Sequence, residues 1–140
     1  MAGTFTNQGA QEILDYIGNG VAIDGTPGTL YIALWTADPG ATGASGLEIT
    51  GTGYARTSIG FGAPSSANPS EMGNDGVVEF NSGATVGPWN SGSAIPGFAI
   101  FTQATLGVMI VSGTLDDQTK VVTAGDTASF AVGAITISLT

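Results

Sequence analysis

The stretch Leu30–Phe61 reads LYIALWTADPGATGASGLEITGTGYARTSIGF, and its patterning decides the fold. Leu30–Thr36 is a continuous, largely apolar run with a β-branched residue and two aromatics, which suits a strand buried on both faces. Asp38-Pro39-Gly40 ends it, because proline fixes φ and glycine supplies the open turn conformations. Small residues fill a loop from Ala41 to Gly46. Leu47–Thr50 and Tyr54–Phe61 then read as two runs joined by Gly51-Thr52-Gly53. Leu47, Ile49, Ala55, Ile59 and Phe61 fall on one face, and Glu48, Thr50, Tyr54, Arg56 and Ser58 on the other. That alternation is expected of a half-buried antiparallel hairpin. A three-residue loop, a type I turn closed by a left-handed Gly53, opposes Thr50 to Tyr54 and Glu48 to Arg56. A cross-strand ion pair between Glu48 and Arg56 is therefore expected.

Working outward, the chain before this block holds a leader, Met1–Thr6, and one helical stripe. Ala10, Ile13, Leu14 and Ile17 are spaced i, i+3, i+4 and i+7. Asn7 is placed to cap the helix, Glu12 sits early where the dipole favours an anion, and Gly18-Asn19-Gly20 ends it. So short a helix does not persist alone in water. Ile13, Leu14 and Ile17 are expected to face inward, against a sheet or a neighbouring subunit. Val21–Gly28 reads as a connector with turns at Asp24-Gly25 and Pro27-Gly28.

After the block, Gly62–Gly76 reads as a long surface loop rich in Pro, Ser and Asn. Val77–Phe80 is a short strand, and Ala84–Trp89 a broken run that Pro88 confines to an edge. Ile95–Phe101 and Leu106–Ser112 read as buried strands with a tight reversal at Gln103–Thr105. Asp116-Asp117 falls in the next turn. Lys120–Thr123 and Thr127–Phe130 flank the turn Ala124-Gly125-Asp126. At the end, Ile135, Ile137 and Leu139 alternate with Thr136, Ser138 and Thr140, a one-sided strand. The fold class expected is all-β, an antiparallel β-sandwich with jelly-roll-like wiring and one short N-terminal helix. At 140 residues the chain is expected to form one domain, residues 1–140.

The patterns YIALWTADPG, GLEITGTGYAR, IPGFAIF and KVVTAGDTASFAVGAITISL resemble a family of small bacteriophage virion proteins, commonly labelled tail fibre proteins. The resemblance runs from the N-terminal helix to the last strand and carries no catalytic signature. It implies a non-enzymatic virion structural protein, tail-associated, that oligomerises and binds other virion proteins. A capsid decoration or cement protein is the near alternative, and a carbohydrate- or receptor-binding module a further one. Asp126, in AGDT, matches the family's GD turn. Its expected task is structural, bonding nearby backbone amides.

Composition bounds the chemistry. The 11 acidic residues face only two basic ones, Arg56 and Lys120, for a net charge of −9. That argues against nucleic acid and against an anionic membrane surface as partners. There is no cysteine for a disulfide, and no histidine to act as a base or metal ligand. A serine–lysine mechanism would need a buried Lys120, which lies in a polar segment. Glu71 with Asp75, and Asp116 with Asp117, read as solvated turn carboxylates rather than a glycosidase pair. Asn74-Asp75-Gly76 and Asp116-Asp117 are weak calcium candidates without an EF-hand pattern. No cofactor and no metal site is expected. Of the two tryptophans, Trp35 in its apolar run reads as core, and Trp89 beside Pro88 as the candidate for a surface contact.

Overall fold

The computed structural model describes residues 1–22, 29–80 and 86–139. The turns expected at Asp24-Gly25 and Pro27-Gly28, and the start of the run at Ala84, lie outside these residues. The described elements are β1 (Ala2–Phe5), α1 (Asn7–Asn19), β2 (Leu30–Trp35), β3 (Thr57–Ile59), β4 (Ser70–Gly73), β5 (Val78–Phe80), β6 (Gly97–Phe101), β7 (Met109–Thr114), β8 (Ala128–Phe130) and β9 (Thr136–Leu139). A short 3-10 turn spans Asn90–Gly92. The fold is all-β with one helix, as expected.

Seven strands form one sheet in the order β3-β2-β6-β7-β1-β9-β4, and β5 and β8 form a separate two-stranded sheet. The larger sheet curls until its two ends meet. Phe61 bridges Asn74, with Gly62 N donating to Gly73 O at 2.9 Å and Asp75 N to Gly60 O at 3.2 Å. The two layers that sandwich the core are thus opposite sides of one sheet, with the β5–β8 pair packed on its interior side. Pairing is antiparallel throughout except for β1 and β9, which run parallel.

β2 is buried on both faces, and the structure shows against what. Ile32 and Leu34 point to the interior with Phe98, Ile100, Val111, Ile135 and Ile137. Ala33 and Trp35 point outward into a second cluster with Ala99, Phe101 and Met109. The loop after β2 folds over that outer cluster. Pro39 is fully buried, Trp35 Nε1 donates to Ser45 O at 3.0 Å, and Ser112 Oγ donates to Gly40 O at 3.2 Å.

Several expectations are corrected. Met1–Thr6 is not a loose leader: β1 lies inside the sheet between β7 and β9. Phe5 is its one large apolar residue, too little to announce a strand, and space is short at Gly3. A Cβ on Gly3 would collide with the Val111 side chain. Within the expected 62–76 loop, Ser70–Gly73 is the strand β4, paired to β9, although the surrounding residues stay largely exposed. Lys120–Thr123 is extended but joins no sheet.

Candidate functional site

Glu48 and Arg56 do meet, by a route other than the expected hairpin. Both flanking segments lie along β2 instead of along each other. Ile49 N donates to Leu34 O at 3.0 Å and Thr36 N to Leu47 O at 2.9 Å, while Thr57–Ile59 pairs with Ile32–Leu30. The residues between form a loop rather than a ladder. Its turn is not the expected type I: Gly51 lies at φ 153° and Tyr54 N donates to Gly51 O at 3.1 Å, and only the left-handed Gly53, at φ 73°, is as expected. The loop is held by the opposite segment, where Asn90 N donates to Thr50 O at 2.8 Å and Gly87 N to Thr52 O at 3.0 Å. Its two ends return to the same edge of β2, which brings the pair together.

All three nitrogens of the guanidinium are engaged. Its Nε donates to Glu48 Oε1 at 3.0 Å and a terminal nitrogen donates to Oε2 at 2.8 Å. The other terminal nitrogen donates to the carbonyls of Gln103 at 3.1 Å and Leu106 at 2.7 Å. The group stacks 3.5 Å above the Phe101 ring. The Arg56 side chain is only 10% exposed and that of Glu48 27%. Tyr54 completes the cluster. Its hydroxyl donates to Glu48 Oε1 at 3.0 Å and accepts from Leu34 N at 3.0 Å. Burial, and then the neighbouring Glu48 carboxylate, push the phenol well above the ordinary tyrosine range. This arrangement ties the 50–56 loop, the 103–106 reversal and β2 into one rigid body.

Trp89 is a correction. It is wholly buried, with Nε1 donating to Thr52 O at 2.9 Å. Its ring packs edge-on to Tyr54 at 5.3 Å and to Phe80 at 6.0 Å. Proline on its N-terminal side marks a bend that turns the indole inward, so it offers no platform for a sugar. Trp35 is core, as expected.

The helix is the other correction. Thr6, not Asn7, is the N-cap: its hydroxyl accepts from Gly9 N at 3.0 Å. α1 rests on β7 through Gly9, whose missing side chain lets the helix touch the Ile110 backbone. The apolar stripe then faces away. Leu14 is 68% and Ile17 74% exposed, with Tyr16 and Val21 beside them, and Ile13 is only half-buried. The glycine contact, invisible to a hydrophobic pattern, fixes the helix with its greasy side out.

Asp126 does what the GD turn implied. Its Oδ2 accepts from Thr123 N and Thr123 Oγ1, each at 2.8 Å, and these bonds hold its carboxyl below the usual range. Asn74 is a buried staple rather than a calcium ligand. Its Nδ2 donates to Gly76 O and Ala131 O at 2.7 and 2.9 Å, and its Oδ1 accepts from Ile135 N at 2.8 Å. Asp117 accepts from both the amide and the hydroxyl of Thr119, which lower its pKa. Among the described residues no three acidic side chains gather where a metal could be held. None of their helices is long and apolar enough to cross a membrane.

A comparison with known families finds one model, described as podophage GP4 fiber I protein gp80, that matches residues 4–138. The chain belongs to that family, and as a fibre protein it is a component of the virion. No curated protein matches the chain.

Proposed function

We propose that this podophage fibre protein is a non-enzymatic structural part that works by contact: copies associate with one another and with other virion proteins. One observation carries the reading. The helix α1 presents Leu14 and Ile17 to water, 68% and 74% exposed, on an element whose opposite side is anchored to the sheet. An apolar face held rigidly outward gains free energy when a second surface covers it. We assign that cover to a second copy of the chain. With only two cations in the sequence, copies cannot build an interface of salt bridges, and an apolar helix face needs none. The interior supports the same reading, because the polar side chains of the Glu48 cluster and Asn74 are consumed in holding loops. The acidic balance speaks against nucleic acid and membrane as partners. Electron microscopy of the intact virion tests this reading. Neighbouring copies should touch through α1; a fibre in which α1 of every copy faces solvent would contradict it.

A further inference from the structure

The residues Lys120–Phe130 form a hairpin that does not close. Its turn is made: Asp126 N donates to Thr123 O at 3.1 Å. Its arms are not paired to each other. The first arm is hydrogen-bonded on one side only, where the carbonyls of Lys120 and Val122 accept from Ile95 N at 2.8 Å and Trp89 N at 3.0 Å. In an extended chain the residue between points its backbone the other way. Val121 accordingly makes no hydrogen bond through its N–H or C=O to any described residue, and it is 39% exposed. The second arm enters β8, which pairs with β5 on one side and, among the described residues, has no strand on the other. Between the arms lies a groove of about 580 Å³. Ile95, Leu115 and Phe130 are among the apolar residues that line it, and Asp116, Asp117 and Asp126 are its acidic ones.

We infer that this groove receives an extended segment of a different virion protein, which adds itself as a strand between the arms. Open backbone donors and acceptors along an extended arm, and a strand with one vacant side, are what strand addition uses. The apolar lining takes alternate side chains of the incoming segment. Charge sets the sign of the rest. The three carboxylates meet one lysine, Lys120, and the amine of Met1, in a chain of net charge −9, so the segment is basic. Charge also excludes a second copy as the donor. Of this chain's two cations, Arg56 is spent on Glu48 and Lys120 already lies at the groove. The inference rests on the reading of the chain as a contact protein but concerns another surface and another partner.

The test is a titration of the isotope-labelled full chain, followed by amide resonances. Three capped hexapeptides serve as probes: alternating lysine and valine, alternating glutamate and valine, and the lysine–valine peptide with its backbone amides methylated. The lysine–valine peptide should give saturable shifts centred on Val121 and Thr127–Phe130. The other two should bind at least tenfold more weakly, as should the lysine–valine peptide to the D116N/D117N chain. Equal binding of the glutamate or methylated peptide, shifts centred on α1, or no saturable shift would overturn the inference. Light scattering on the same sample reports self-association separately, so the failure of one reading is distinguishable from that of the other.

Discussion

Arg56 shows how one residue can stiffen a β-rich chain that is poor in charge. Four of its N–H groups are matched by carboxylate oxygens and carbonyls, and its flat face lies on Phe101. Removing it would strand Glu48 in a site only 27% exposed. Arg56→Met should therefore cost about 3 kcal/mol, as when one partner of a buried pair is lost. Glu48→Gln should cost less, because the amide oxygen can still accept from Tyr54. A double-mutant cycle by denaturant melts should return a coupling of more than about 1 kcal/mol; additive effects would mean that the pair acts through packing alone. Tyr54 gives a pH signature. Its folded pKa lies above its unfolded value of 10.0, so the folded state holds the proton more tightly. Stability from this group is intact below pH 10 and falls as pH rises, by up to about 1.4 kcal/mol per pH unit. Tyr54→Phe should flatten that alkaline slope in melts between pH 9 and 11. Asn74→Ala should cost about 3 kcal/mol by leaving buried backbone groups unpaired. Calcium should not raise the melting temperature of the unaltered protein.

The strands written as long apolar runs were legible, and those written in small or polar residues were not. β2 and β6 announce themselves because both their faces are buried, one against the interior and one under the loop after Pro39. β1 was hidden because Gly3 lies in a crowded part of the sheet, where a side chain would clash with Val111, and Ala2 and Thr4 are exposed. β4 was hidden because Ser70–Gly73 is stabilised by pairing to β9 rather than by burial of large side chains. The hairpin around Gly51–Gly53 gave the right ion pair with the wrong turn and the wrong ladder. Register reasoning compares two segments with each other and cannot see that both prefer the edge of β2. Trp89 misled because a flanking proline signals a bend without saying which way the side chain turns. The helix misled because its anchor is a glycine. Replacing that glycine tests the anchor. Gly9→Ala improves helix propensity by up to about 1 kcal/mol, yet it drives a methyl into the Ile110 carbonyl. The melting temperature should fall, by the equivalent of about 1–3 kcal/mol, in a thermal scan. A rise would mean that α1 is not seated on β7.

At the scale of the whole molecule, the curled sheet closes its own edges and leaves a helix face and the vacant side of β8 as the places where contact is offered. A chain with net charge −9 repels its copies, and salt screens that repulsion. Association through an apolar helix should therefore hold or strengthen as sodium chloride is raised, which sedimentation at several salt concentrations reads directly. The measurement that goes furthest toward the proposed role pairs sedimentation velocity with thermal melts on the unaltered protein and on Leu14→Asp. Because Leu14 is 68% exposed, the substitution should leave the melting temperature of the single chain nearly unchanged while abolishing its self-association. A Leu14→Asp protein that associates as the unaltered one does would contradict the account.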